Sequence, residues 1–203
     1  MLTCAIRPAG IVGEGDGKGV LHGTCTNAIH SADWQLHFQL GAGNNLFDTT
    51  YVGNVVLAHL LAASRLLETF RRNEAGKAAV LDHERVDGEA FFVTNDEPTY
   101  FWDFMHYAAA ACGREIHLDK VLEMPKSLAY TMGLLSELSN KVTGRKARFN
   151  RQTVMYGCMT RTYSCEKAKR KLGYVPAVGL DEAWGRGVKE FLLKERETQA
   201  GAT

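Results

Sequence analysis

The 203-residue chain is 45% hydrophobic, 23% charged and 9% aromatic, enough to bury a core without disulfides or metal. These proportions exclude collagen-like, coiled-coil, mucin-like and disordered chains. Lys and Arg number 24 against 23 Asp and Glu, a net charge of +1, so nucleic acid, which usually selects a clear basic excess, is not an expected partner.

Thr3 to Ile6 before Arg7-Pro8 reads as a short buried strand ending at the proline. Gly10, Gly13, Gly15, Gly17 and Gly19 follow in a stretch that reads as loop. Residues 20–43 mix helical and extended signals. Within them Trp34, Leu36, Phe38 and Leu40 alternate with their neighbours as one face of a half-buried strand. Phe47 to Val52 is extended, and Asn54 is the expected N-cap of a helix reaching about Phe70. On that helix Val55, His59, Ala62 and Leu66 share a face, flanked by Ala58, Leu61 and Ala63, as for a helix packed on a sheet.

Residues 71–89 read as a polar surface loop, and Ala90 to Thr94 is the clearest buried strand. Thr99 is the expected cap of an aromatic helix over Tyr100 to Cys112 that stops at Gly113. A further helix starts near Pro125 and repeats Leu128, Met132, Leu135 and Leu138 as far as Ser139. Lys141 to Arg151 reads as a basic loop, Ser164 to Leu172 as a short charged helix closed by Gly173, and Leu180 to Lys194 as the last helix, with fraying after Glu197. Strands alternating with helices give an α/β fold.

Five cysteines, an odd number with no Cys-x-x-Cys pair, point to a reducing compartment. His22-x-x-Cys25 lacks two further ligands nearby, so no metal is expected. Met1 to Gly10 has no charged segment followed by a long apolar run and does not read as a signal peptide. No run reaches the ~18 apolar residues of a spanning helix. The chain is therefore expected to be soluble or membrane-associated.

Four further patterns bear on chemistry. Gly13-x-Gly15 meets Lys18, and Gly41-x-Gly43 meets Leu46, where a dinucleotide fingerprint needs a third glycine. The glycine stretch is thus a flexible loop beside a site in preference to a phosphate cradle. Tyr163-x-x-x-Lys167 has the spacing of a proton-transfer pair on one helical face, yet its neighbours Glu166, Lys169, Arg170 and Lys171 make a solvated surface, and a structural role is preferred. Tyr100, Phe101, Trp102, Phe104 and Tyr107 either pack a core or border an apolar ligand. The 125–139 helix with Lys141, Arg145, Lys146, Arg148 and Arg151 reads either as an interfacial anchor or as an amphipathic lid with a solvated flank.

Several segments together resemble a known family. Ala5-Ile6-Arg7-Pro8-Ala9-Gly10-Ile11-Val12-Gly13-Glu14-Gly15-Asp16 resembles the strand and loop that follow the catalytic helix in extended short-chain dehydrogenases. Asn45 to Asp48 with Tyr51 to Val55 and Ala58 to Ala63, Gly88 to Pro98, Phe101 to Phe104, and Lys167-Ala168 with Lys171 to Tyr174 and Pro176 are similar to the 3β-hydroxysteroid dehydrogenases, in particular the decarboxylating sterol-4α-carboxylate 3-dehydrogenases. The resemblance covers nearly the whole chain in order. It implies that residues 1–203 form the C-terminal part of a Rossmann-like parallel sheet plus a mainly helical substrate-binding lobe, without the dinucleotide-binding half.

The activity implied is NAD- or NADP-dependent oxidation of a sterol 3β-hydroxyl, with loss of a 4α-carboxylate as carbon dioxide in the decarboxylating members. The family's glycine-rich turn and Tyr-x-x-x-Lys pair lie upstream of the Arg-Pro segment, so no catalytic residue is assigned here and Tyr163/Lys167 inherits no role. By resemblance Pro8, Ala9 and Gly10 border the nicotinamide, and Val12, Phe47, Tyr51, Phe101 and Trp102 border the sterol. Dinucleotide binding is not expected of the chain alone. The alternatives are a non-catalytic sterol- or lipid-binding module and a truncated inactive copy. The expected location is intracellular, cytoplasmic or peripheral at the endoplasmic reticulum membrane, with 125–151 as the peripheral contact.

Overall fold

The computed structural model describes residues 1–144 and 149–201. The chain divides into two compact units, one of Met1–Gly23, Asp48–Pro98 and Thr162–Thr203, the other of Thr24–Phe47 and Thr99–Arg161. Arg145, Lys146 and Arg148 of the basic run lie outside the described residues.

In the first unit, strand β1 (Ala5–Pro8) runs on through Ala9 into β2 (Gly10–Val12). Later in the chain come β5 (Thr49–Tyr51), helix α3 (Val52–Glu74), β6 (Ala90–Val93), α7 (Glu166–Leu172) and α8 (Leu180–Gly201). β1 pairs parallel with β6, Ile6 opposite Phe91, and β2 pairs parallel with β5, Val12 opposite Tyr51. The two ladders are laced together: the Ala9 N–H donates to the Val93 carbonyl at 3.1 Å and the Asn95 N–H to the Thr49 carbonyl at 3.2 Å.

Phe91 and Val93 alternate with exposed Phe92 on β6, and pack with Ala58 and Ala62 of α3 and with Ala168 and Leu172 of α7. Two alanines at i and i+4 let α3 lie close on the strands. Tyr174 is fully buried in the same core, its hydroxyl donating to the Thr94 carbonyl at 2.8 Å, which resolves the cost of burying a phenol. Gly173, at φ 71°, ends α7 in the left-handed conformation that its missing side chain permits.

The second unit holds α2 (Asp33–Leu36), β3 (Phe38–Leu40), β4 (Leu46–Phe47), β7 (Thr99–Tyr100), α4 (Phe101–Ala111), β8 (Leu122–Met124), α5 (Lys126–Thr143) and α6 (Arg151–Cys158). Helix α1 (Val20–His30) begins in the first unit and ends in this one. β3 and β8 are parallel, and β4 and β7 antiparallel with Phe47 opposite Thr99. Arg114 stitches the end of α1, its guanidinium reaching the carbonyls of Ala28 and Ser31 and the Asp33 carboxylate at 2.7, 3.0 and 2.5 Å.

Several expectations change. Trp34 to Leu40 is no continuous strand: Gln35 accepts from the Ala32 N–H and starts a helical turn, Trp34 is exposed, and the buried residue of β3 is Gln39. Asn54 does not cap α3. The helix follows Tyr51, and Asn54 sits in its first turn with its side chain bonded to distant segments. On the same helix His59 and Ala63 are exposed, so the buried face is Asn54, Val55, Ala58 and Ala62.

Thr99 is a strand residue, and the Phe101 N–H that a cap would take donates to the Asn45 carbonyl. Residues 71–74 continue α3, and the expected 141–151 loop is helical at both described ends, α5 running to Thr143 and α6 starting at Arg151. α8 continues to Gly201, beyond the expected fraying point.

Candidate functional site

Ligands of open parallel sheets bind outside the C-terminal ends of the strands. In the first unit β1, β2, β5 and β6 end at Pro8, Val12, Tyr51 and Val93. A buried polar node closes that edge. Asn54, with no exposed surface, donates to Asn95 Oδ1 at 2.9 Å and to the Val178 carbonyl at 2.8 Å, while its Oδ1 accepts from the Ala177 and Val178 N–H groups at 2.9 and 3.2 Å. Asn95 Oδ1 also accepts from the Tyr51 N–H at 2.9 Å, and its amide donates to the Val178 carbonyl. Thr50 Oγ1 accepts from the Ala9 N–H and donates to the Val93 carbonyl, and the Trp184 indole donates to Thr49 Oγ1. Strand ends and the 175–179 loop are thereby held in one geometry with every side-chain amide group engaged.

Pro8, Ala9 and Gly10 lie at this edge, partly exposed. The Ala9 N–H is shared between Val93 and Thr50, and Gly10 sits in the ladder opposite Thr49. The Ala9 N–H is therefore taken. Pro8 has no N–H to offer, so what Pro8 and Ala9 present to a nicotinamide ring is partly exposed surface without a free N–H donor. Asp48, 3% exposed, is pushed up by burial, opposed by the hydrogen bond it accepts from the Tyr163 N–H at 2.6 Å.

The glycine stretch is tied down. Asp16 accepts from the N–H groups of Gly19, of Lys18 at 3.3 Å and of His22 at 3.2 Å, closing the start of α1, and Glu190 accepts from the Gly15 N–H at 2.6 Å. The donors that a phosphate would need are on two carboxylates of the protein, in keeping with the missing fingerprint. A cavity of about 140 Å³ beside this loop is lined by residues that include Asp16, His22, Glu190, Phe191 and Lys194.

Tyr163 and Lys167 do not share a helical face. Tyr163 precedes α7 and stacks on Phe92, ring centroids 4.8 Å apart. Lys167 is not a freely solvated side chain either, because it pairs with Glu89 and donates to the Ala90 carbonyl.

Of the residues expected at the sterol, Val12 and Tyr51 are register partners in the first unit, 1% and 7% exposed. Phe47, Phe101 and Trp102 come together in the second: Phe47 and Phe101 meet edge-on at 5.4 Å, Phe101 and Trp102 at 5.6 Å, and Tyr156 joins at 6.2 Å from both Phe47 and Phe101. Phe47 and Phe101 are buried and Trp102 is half-buried, so the aromatic segment packs a core and reaches its surface at Trp102. Trp102 Nε1 and Thr99 Oγ1 are buried without a partner among the described residues.

Sequence reasoning missed Asn54 and Asn95 as a bonded pair, the two loop-holding carboxylates, and Arg161 beside the rings. An Asn directly preceding an apolar helical face, and another directly after a buried strand, were the available signals for the first.

The parallel pairs, the helices packed against them and the closed strand edge define an α/β fold of the Rossmann type. Solved structures agree on the fold: the crystal structure of gox2253 superposes with a TM-score of 0.61 at 20% identity over 95% of this chain and 50% of that one. A UDP-glucose 4-epimerase from Thermus thermophilus, complexed with NAD, gives 0.53 at 17% over 95% and 47%. The chain belongs to the 3-beta hydroxysteroid dehydrogenase/isomerase family, whose profile it matches over residues 1–125. It is 40% identical over 181 residues to the decarboxylating sterol-4-alpha-carboxylate 3-dehydrogenase ERG26 of Saccharomyces cerevisiae, and 34% identical over 191 residues to the mouse (Mus musculus) enzyme of that name. These alignments cover 89% and 94% of this chain, and it spans about half the length of the curated relatives it matches, 47% and 48%.

Proposed function

We propose that this chain supplies the substrate-binding side of an NAD- or NADP-dependent oxidation of a sterol 3β-hydroxyl, with loss of a 4α-carboxylate. The observation that carries the reading is the match to the decarboxylating 3-dehydrogenases over about nine-tenths of the chain, coupled with a strand-end edge held in one geometry by Asn54 and Asn95. The bound dinucleotide would supply the hydride acceptor. Oxidation at C3 makes the neighbouring carboxylate a β-keto acid, so the C4–carboxyl bond breaks with its electron pair delocalised onto the ketone oxygen as an enolate, and carbon dioxide leaves.

In this reading Pro8, Ala9 and Gly10 border the nicotinamide through their partly exposed surface. By the family resemblance Val12, Phe47, Tyr51, Phe101 and Trp102 border the sterol, and of these Trp102 is the one that is half-buried and not buried. No residue of this chain is given the proton-transfer role.

α5 supports peripheral membrane contact: Leu128, Met132, Leu135 and Leu138 are exposed on one stripe, with Lys126 and Lys141 at its ends. Among the described residues no helix is long and apolar enough to cross a membrane. An intracellular membrane such as that of the endoplasmic reticulum is the surface this reading favours, and flotation with anionic liposomes tests it.

The functional test titrates the purified chain with NAD(H) and with a 3β-hydroxysterol 4α-carboxylic acid. Saturable sterol binding is expected. Failure to bind any 3β-hydroxysterol would sink the reading.

A further inference from the structure

Arg161 lies against the aromatic group of the second unit. Its backbone is fixed there: the Arg161 N–H donates to the Leu46 carbonyl at 2.8 Å and the residue bridges Phe47. The guanidinium carbon lies 4.8 Å from the Phe47 ring centroid and 4.3 Å from that of Tyr156, in the corner formed by two rings 6.2 Å apart and inclined at 63°. Nη2 donates to the Tyr156 hydroxyl at 2.5 Å.

Two other partly buried arginines are paired with carboxylates of the protein. Arg114 holds carbonyls and a carboxylate, and Arg151 holds Glu137 at 2.8 Å. Arg161 has no carboxylate within ion-pair distance among the described residues, and its remaining N–H groups meet no protein acceptor there. Aromatic rings hold a guanidinium by its π-face and leave the in-plane fork free, which is the edge that matches a carboxylate. Thr99, register partner of Phe47, and Trp102, in ring contact with Phe101, add a hydroxyl and an indole N–H without partners to the same group.

We infer that Arg161, seated on Phe47 and Tyr156, is the anchor for the carboxylate of an acidic sterol, and selects carboxylated over uncharged ligands. This rests on the sterol reading above and adds to it the residue that recognises the acid. Bound there, the carboxylate is held as the anion, and the sterol body has the half-buried rings of Tyr156 and Trp102 for apolar contact.

The test is equilibrium dialysis of the full chain against a 3β-hydroxysteroid 4α-carboxylic acid and its methyl ester, at low and high salt. Loss of a charge-assisted hydrogen bond corresponds to about 10- to 100-fold in affinity. The acid is expected to bind tighter than the ester by that factor, less so at high salt, and Arg161→Gln should bring the ratio close to one while ester binding stays within about 2-fold. Arg161→Lys, which keeps the charge but not the fork, should give an intermediate ratio, and serves if the Gln variant does not fold.

Equal binding of acid and ester by the unaltered protein would overturn the inference and leave the sterol reading standing. So would a preference that survives both substitutions. Absence of binding to either ligand removes the sterol reading and this inference with it.

Discussion

Replacing Asn54 by Ala tests the node at the strand ends. The side chain is wholly buried and makes four hydrogen bonds, two of them accepted from the Ala177 and Val178 N–H groups. After the substitution Asn95 Oδ1 keeps the Tyr51 N–H and the Val178 carbonyl keeps the Asn95 amide, so neither is stranded. The two loop N–H groups lose the acceptor that Asn54 supplies. Both hydrogen bonds are part-buried, and water can replace part of the lost acceptor, so the cost is below the ~1–3 kcal/mol per donor of a fully buried pair and comes to about 1–3 kcal/mol in all. At roughly 2–4 °C per kcal/mol for a chain of this size, Tm should fall by at least ~2 °C. Thermal unfolding followed by circular dichroism reads the fall, and hydrogen exchange should show the Ala177 and Val178 amides losing protection. A drop below ~2 °C with both amides still protected would refute the argument, because it would mean that the loop does not depend on Asn54 for its acceptor.

Three further outcomes follow from the structure. Glu89 is held down to about 2 from an ordinary 4.5 by hydrogen bonds from Lys167 and Lys171. Its contribution to stability is therefore complete above pH 4.5 and lost as pH falls from there toward 2; urea midpoints over that range should decline, less steeply in Glu89→Gln, and parallel slopes would exclude the pairing. A Cβ on Gly187 would overlap the buried Leu21 side chain and stand 3.2 Å from the Gly13 backbone, so Gly187→Ala should destabilise by about 1–3 kcal/mol in urea unfolding, a neutral result contradicting the close approach. Cys112 is lowered by a hydrogen bond from Cys25, whereas Cys4 and Cys158 are raised by burial; at pH 7.5 Cys112 should be alkylated first, and last place in peptide mapping would count against the contact.

What the sequence made legible was decided by range. β6 was readable because Ala90 to Val93 is a continuous apolar run, and the end of α7 because glycine marks a left-handed turn. α3 was placed correctly along most of its length by its apolar face. Its start was misassigned because Asn54 has the chemistry of a cap but finds partners 41 and 124 residues away. α6 was missed for lack of apolar periodicity, although Asn150 does cap it, accepting from the Thr153 N–H at 2.8 Å, a signal present in the residues themselves.

The site divides in the same way. Motif order was enough to indicate the family, which the profile match bears out. Spacing alone put Tyr163 and Lys167 on one face, and the structure parts them because helix α7 starts only at Glu166. Arg161 carried no local signal, since its partners Phe47 and Tyr156 become neighbours only when β4 and α6 are in place.

The loop of Gly13 to Gly19 has a consequence for how this protein could acquire new ligands. Its hydrogen-bond donors face carboxylates contributed from opposite ends of the chain, so the segment already behaves as an occupied anion site whose anions are covalently attached. A phosphate approaching it would meet two negative charges before any free donor. Converting the loop into a nucleotide grip would take the loss of Asp16 and Glu190 together, and with them the contacts that anchor the start of α1 and the flank of α8. Adding the missing glycine would leave that barrier untouched.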